Sequence, residues 1–162
     1  MTKSSTIKEK LITSLKEKVE SELAELKKAF ESSRSLATSE EMKSEGKYDT
    51  RSIEAGYIAG AQQKRVQELE LELGLLDEVN LNHKPDTVAV GSLVDIEHNN
   101  LTRSYFISST GGGNILRVEG QVIMVISAFS PIGAEVIGLR PGDDFEIEQR
   151  GEEKQYLVKG IT

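Results

Sequence analysis

Apolar residues recur every three or four positions along the first 30 residues of the chain. They form the series Ile7, Leu11, Leu15, Val19, Leu23, Leu26 and Phe30. This spacing places them on one face of an α-helix, because an α-helix repeats every 3.6 residues. The residues between them are largely Lys and Glu, which is typical of a solvated opposite face. The pattern predicts a helix over residues 7–30.

A second stripe with the same period predicts a helix from Thr50 to about Glu78. Its apolar positions are Ile53, Tyr57, Ala61, Val66, Leu69, Leu73 and Leu76. Neither helix can bury its stripe alone, so the simplest arrangement packs the two together as an antiparallel hairpin that resembles a coiled coil. This hairpin predicts a monomer. Pairing of helices from two chains is the alternative.

The segment between the two helices, residues 31–51, is polar and must hold the reversal of the hairpin, with a tip near 38–50. The tip is crowded with charges, namely Glu40, Glu41, Lys43, Glu45, Lys47, Asp49 and Arg51. Tyr48 is one of its few sizeable apolar groups. Considered by composition alone, this tip is interpreted as a solvated acidic loop, because such loops are common.

The periodicity changes across residues 80–87, which contain several turn-forming residues and Pro85. This segment is predicted to be a linker between a helical part, residues 1–79, and a β-rich part, residues 88–162. Alternation with a period of two then predicts strands over 88–96, 104–108, 121–128, 145–148 and 155–161. The first of these strands is predicted to break at Gly91.

A short helix is predicted between the third and fourth strands. Ser130 is suited to be its N-cap, Pro131 its first residue and Gly138 its stop. Residues 109–114 are predicted to be a flexible β-hairpin loop, because the Lys-Ser/Thr of a phosphate loop does not follow them. A turn is expected at Arg150-Gly151. The fold class is therefore α+β: a helical hairpin followed by a bent antiparallel sheet with one short helix.

Composition narrows the classes of function. The net charge is −7, which argues against direct nucleic-acid binding as the main activity, because phosphates require a basic surface. The absence of Cys excludes disulfides and thiol catalysis. His83 and His98 stand far apart, which argues against a catalytic triad or a metal cluster. No apolar run reaches the roughly 20 residues that span a bilayer, so a cytoplasmic protein without a membrane partner is expected.

The C-terminal half resembles a known family. The order strand, Ser130-Pro131-Ile132-Gly133, short helix, Gly138, Gly142-Asp143 and closing hairpin is similar to the C-terminal domain of the Gre transcription elongation factors, which has an FKBP-like fold. The N-terminal half is also similar to these factors, which carry two long helices with an acidic tip, and Tyr48 looks like their tip tyrosine. The resemblance covers nearly the whole chain.

The resemblance implies a partner and a role. Gre factors bind RNA polymerase at its secondary channel, where two tip acids help to hold a Mg²⁺ ion of the polymerase and orient the water that cuts backtracked RNA. Glu41 and Glu45 are the implied assisting acids. The implied further tip contacts are Glu40, Lys43, Lys47, Tyr48, Asp49 and Arg51. The nascent RNA would be an indirect partner of the protein. The protein would have no cofactor of its own and would not be an enzyme by itself.

The implied docking residues for the polymerase are Ser130, Pro131, Ile132 and Leu139. For Ile132 and Leu139, simple packing on the sheet is an equal alternative. The tip departs from the family pattern Gly-Asp-x-x-Glu-Asn-x-x-Tyr, because Ser44 stands in the Glu place and Glu45 comes one residue late. These departures favour an alternative function, a regulator that blocks the channel without cleavage. A dimerising helical module with an adaptor domain is a second alternative, of a different class.

Overall fold

The computed structural model describes residues 3–38, 50–81 and 86–162, without the side chains of residues 3–6, 30, 33–38 and 50–59. Two long helices come first, α1 (Lys3–Thr38) and α2 (Thr50–Asp77). They are followed by β1 (Leu93–His98), β2 (Leu101–Ser108), β3 (Ile115–Val118), β4 (Gln121–Ser127), the short helix α3 (Pro131–Val136), β5 (Asp144–Gln149) and β6 (Glu152–Ile161). The predicted α+β fold class is confirmed.

The two long helices form one compact unit over residues 16–74. Helix α1 is longer than predicted at both ends, whereas α2 begins at the predicted residue. Val19 and Leu23 of α1 and Leu69 of α2 are buried, as their stripes predict. Ala61 is exposed, so the predicted stripe of α2 is wrong at this position. The stripe residues Phe30, Ile53 and Tyr57 lie outside the described side chains.

Ion pairs join the two helices at two places. The Arg65 Nη2 lies 3.0 Å from the Glu22 Oε1, and the Lys27 Nζ lies 3.3 Å from the Glu70 Oε1. The hydrogen bond to Glu22 raises the pKa of Arg65 above its ordinary value. Exposed pairs of this kind contribute about 0–1 kcal/mol each. Burial of the apolar stripes is therefore the main source of stability in this unit.

The second compact unit contains the residues up to Leu15 together with Leu75–Thr162. The first turns of α1 thus belong with the sheet, a division that differs from the expected one between residues 1–79 and 88–162. The Lys10 Nζ lies 2.9 Å from the Glu119 Oε1 in the β3–β4 turn. The Leu15 side chain lies 3.1 Å from the position that a Cβ on Gly111 would occupy.

The six strands form one sheet in the order β3-β4-β2-β1-β6-β5. Neighbouring strands are antiparallel except β2 and β4, which are parallel. The parallel pair arises because residues 109–114 do not turn back on β2 but cross to β3, a strand that the sequence pattern missed. The predicted hairpin loop is therefore wrong. The crossing segment is held on β4, since the Val125 N donates to the Asn114 O and the Gly113 N donates to the Val125 O.

The predicted strand over 88–96 is wrong in its first half, because β1 begins only at Leu93. Gly91 has a φ of +94°, and the Ala89 N donates to the Ser92 Oγ at 3.0 Å, so the chain turns here. Three other turns have positive φ values at two successive residues, namely Asn99-Asn100, Glu119-Gly120 and Arg150-Gly151. These are the dihedral signs of type I′ hairpins. The predicted turn at Arg150-Gly151 is confirmed.

The sheet buries side chains on both of its faces. One face carries a core cluster, which comprises Val88, Val94, Ile96, Tyr105, Ile107, Val136, Phe145 and Val158. Alternation along the strands places Phe106, Ile123 and Val125 on the opposite face, and these side chains are also fully buried. Leu11, near the start of α1, is fully buried as well and belongs to this unit. We infer that the start of α1 covers the second face.

This inference predicts a difference between two equivalent substitutions in one helix. Leu11→Ala should destabilise the sheet unit by about 2–5 kcal/mol, the usual cost of truncating a buried Leu. Leu23→Ala lies in the other unit and is the matched control. Native-state hydrogen exchange at the amides of β2 and β4 measures the effect. Equal loss of protection of these amides in the two variants would contradict the inference that the start of α1 covers the second face of the sheet.

Candidate functional site

Helix α3 begins in the way that the sequence predicts. The Ser130 Oγ accepts a hydrogen bond from the Gly133 N at 3.1 Å, and Ser130 itself is extended, with φ −73° and ψ 161°. The same hydroxyl donates to the Ser127 O at 2.7 Å. Pro131 follows at the first helical position, where a missing N–H costs nothing. The predicted N-cap and first residue are confirmed.

Gly133 allows α3 to lie directly against the end of β4. A Cβ at this position would clash with the Ser127 carbonyl oxygen and would lie 3.1 Å from the Ala128 Cα. Both neighbours are backbone atoms, which cannot move aside as a flexible side chain can. The Gly of the Ser130-Pro131-Ile132-Gly133 segment is therefore required by packing.

The turn after α3 is built by the second part of the motif. The Asp143 N donates to the Arg140 O at 3.0 Å, and Gly142 has a φ of +94°. Pro141 and Gly142 thus occupy the central positions of a type II turn, which favours these two residues. The Asp143 carboxylate also accepts from the Arg140 N at 2.8 Å. Hydrogen bonds between the 142–143 backbone and Val158 tie this turn to β6.

The side chains predicted to dock a partner differ in exposure. Pro131 is exposed, whereas the Ser130 hydroxyl is engaged in the cap. Ile132 and Leu139 are half-buried and pack against the core cluster. The structure thus gives these two residues a packing role, and their part in docking stays a prediction.

Phe129 is an exposed aromatic residue that the sequence analysis missed. It is 85% exposed and stands directly before the cap of α3. An apolar residue at this position often packs against the fourth helical residue. Here that residue is Ala134, which is small and exposed. A large apolar residue before the N-cap, combined with a small residue at the fourth helical position, is therefore the sequence signal for an exposed Phe129.

The Phe129 turn is fixed by Ser127. The Phe129 N donates to the Ser127 Oγ at 3.1 Å, and both the backbone N and the hydroxyl of Ser130 donate to the Ser127 O. Ile137, just after α3, is 38% exposed. We call the exposed residues Phe129, Pro131 and Ile137 the α3 surface.

The predicted tip is not part of this geometry. The residues Glu40, Glu41, Lys43, Ser44, Glu45, Lys47, Tyr48 and Asp49 lie outside the described ranges, as does His83. Arg51 lies in α2, but the structure does not describe its side chain. Within the ranges 3–38, 50–81 and 86–162, no group of three or more Asp, Glu, His or Cys side chains is arranged to hold a metal ion. Over the same ranges, no helix combines the length and the apolar character that a bilayer span needs.

Comparison with known proteins gives matches among solved structures. No protein-family model matches the chain, and no curated protein does. The chain is similar to GreA factor homolog 1 (Gfh1) of Thermus thermophilus, with 20% identity, 91% of this chain and 94% of that chain covered, and a TM-score of 0.38. Thermus aquaticus Gfh1 gives 22% identity, 92% of each chain and a TM-score of 0.37. GreA/GreB of Nitrosomonas europaea gives 21% identity, 60% of this chain and 78% of that chain, and a TM-score of 0.34.

The close packing of α3 on β4 predicts how much stability is lost when a methyl group is added at Gly133. Gly133→Ala should destabilise the sheet unit by about 1–3 kcal/mol, because the new Cβ forces α3 away from β4. Glu135→Ala, an exposed change on the same helix, should stay within about 0.5 kcal/mol of the wild type. Urea unfolding followed by circular dichroism measures both values. A Gly133→Ala variant as stable as Glu135→Ala would show that α3 does not need this close approach.

Proposed function

We propose that this protein is a Gre-like transcription factor that binds RNA polymerase at its secondary channel. The proposal is supported by the motif residues of the C-terminal half, which cap α3 and build the turn after it, and by the pair of long helices in the N-terminal half. The observation that carries it is the position of Phe129. Its aromatic ring is 85% exposed and lies on a fixed turn beside Ser130 and Pro131.

Phe129 has the properties of a binding anchor. Isolated exposed apolar residues are common and carry little information. Phe129 differs from them because hydrogen bonds to Ser127 fix its turn on both sides. A ring on a fixed turn loses little conformational freedom when a partner covers it, and aromatic anchors dominate many interfaces. The α3 surface is therefore the docking surface of this proposal.

Docking through this surface predicts a selective loss of affinity. Phe129→Ala should weaken binding to RNA polymerase about 10–100-fold, because a buried Phe side chain contributes roughly 1.5–3 kcal/mol. Its stability should be unchanged, since the ring is exposed. Leu71→Ala removes a side chain that is 65% exposed on α2 and serves as the control. Biolayer interferometry with immobilised polymerase measures the affinities. Equal affinities for wild type and Phe129→Ala would exclude the α3 surface as the dock.

The proposed role of the tip is to assist the polymerase. Glu41 and Glu45 would add carboxylate oxygens, which are hard ligands, to a Mg²⁺ ion of the polymerase. The polymerase would supply the ions and carry out hydrolysis of the backtracked RNA. A channel-blocking regulator is the second candidate, and the observation that favours it is Ser44 in the place where the family pattern has Glu.

A double substitution separates these two roles. Glu41→Ala with Glu45→Ala should abolish stimulated RNA cleavage and leave polymerase affinity nearly unchanged, because the acids act at the reacting centre and not at the dock. Glu17→Ala with Glu20→Ala removes two exposed acids from α1 and should leave cleavage unaltered. Transcript cleavage in stalled complexes is the measurement. A wild-type protein that binds but does not stimulate cleavage at any Mg²⁺ concentration would establish the channel-blocking role instead. Cleavage that survives the double substitution would indicate that Glu40 or Asp49 supplies the assisting carboxylate.

A further inference from the structure

A cavity of about 240 Å³ opens on the core-cluster face of the sheet, beside the β1–β2 turn. It is lined by Ile96, His98, Asn99, Leu101, Arg103, Tyr105, Lys154 and Tyr156. These residues come from β1, from its two neighbours β2 and β6, and from the turn. No residue of the α3 surface lines this cavity, so it is a separate feature from the proposed polymerase dock.

The charge of the cavity is opposite to the charge of the chain. The chain has 27 Asp and Glu against 20 Lys and Arg, yet among the residues that the structure describes, Arg103 and Lys154 line the cavity and no carboxylate does. An adjoining cavity shares Arg103, and its described lining also has no carboxylate. The two acids of β1 are engaged elsewhere, because Asp95 accepts from the Ser104 hydroxyl and Glu97 pairs with Lys159. The cavity is therefore locally cationic.

Within the described part of the chain, no carboxylate forms an ion pair with Arg103 or Lys154. Among the residues that the structure describes, Arg103 has no ion pair, and the Lys154 Nζ donates to the neutral Gln149 Oε1 at 3.0 Å. Burial raises the pKa of the Tyr156 hydroxyl, the neighbouring Tyr105 raises it further, and Arg103 acts in the opposite direction. Arg103 and Tyr156 line the same cavity.

Two rings that line the cavity, His98 and Tyr156, stack on each other, and Tyr156 also stacks on Phe145 of the core cluster. The centroids of His98 and Tyr156 are 4.5 Å apart, and those of Tyr156 and Phe145 are 5.2 Å apart, with interplanar angles of 24° and 13°. The His98 Nδ1 lies 2.8 Å from the Gln155 carbonyl oxygen. Because a carbonyl can only accept, this nitrogen carries the proton and the ring is held in place. Leu101, which is 61% exposed, adds an apolar side chain to the lining.

We propose that this cavity binds a small aromatic anion, a single ring that carries a carboxylate or a phosphate. The anionic group pairs with Arg103 and Lys154, since the planar guanidinium fork matches both anions. The ring packs against Leu101, Tyr105 and the edge of Tyr156, whose two faces are covered by His98 and Phe145. Sites for drug-sized ligands usually measure about 300–1,000 Å³, so the smaller volume here suits one ring.

The first test uses the whole wild-type chain and three probes of similar size. Benzoate and phenyl phosphate should shift the ¹H–¹⁵N amide signals of residues 98–105 and 154–156. Benzyl alcohol, which is neutral, should bind at least about tenfold more weakly, a difference of roughly 1.4 kcal/mol. The tighter of the two anions identifies the anionic group. Absence of shifts with both anions, or equal binding of benzyl alcohol, would overturn the proposal.

The second test assigns the anion contact. Arg103→Gln should weaken binding of the tighter anion at least about tenfold, and Lys154→Gln should weaken its binding to a smaller extent. Arg117→Gln is the matched control, because Arg117 is an exposed strand residue that lines neither cavity, and its loss changes the net charge equally. Amide spectra show whether each variant keeps its fold. Wild-type affinity in both cavity variants, or an equal loss in Arg117→Gln, would refute the assignment.

Discussion

A sheet that is apolar on both faces needs two covers, and this requirement governs the structure. Helix α3 has six residues and supplies Val136 to one face. Phe106 and Ile123, on the other face, are fully buried and need a separate cover. The start of α1 provides it, which explains why residues up to Leu15 belong with the sheet. The same apolar stripe continues from Ile7 to Leu23 and so serves both units.

The residues of the C-terminal motif act mainly through the backbone geometry that they allow. Ser130 caps α3, Gly133 allows its contact with Ser127, and Gly142 permits the turn that follows. None of these three has a side chain suited to hold a partner by itself. They shape the helix and the turn that follow Phe129, whose own turn is fixed by hydrogen bonds to Ser127. A motif of this kind therefore specifies where a surface is displayed and leaves its chemistry to a neighbouring residue.

The sequence was informative where local chemistry decides the structure. The 3.6-residue period predicted both long helices, and the Ser130-Pro131 cap and the Arg150-Gly151 turn have local causes. The sequence predicts the break at Gly91, but its alternating pattern starts at Val88, five residues before β1 begins at Leu93. Strand β3 has only four residues, and the parallel β2–β4 pair depends on a crossing that no local pattern encodes. The orientation of Ile132 and Leu139 inwards, and of Phe129 outwards, follows from the packing of α3 on β4. Tertiary contacts decide such matters.

The cover of the sheet by α1 has a consequence during synthesis. Lys10 and Glu119, which pair in the folded protein, are separated by 109 positions. A ribosome that adds about 5–20 residues per second needs roughly 5–20 s to make that interval. For this time the first apolar turns of α1 have no sheet to cover. The nascent chain thus exposes an early amphipathic segment, and its folding is slow to start because its decisive contacts are long-range.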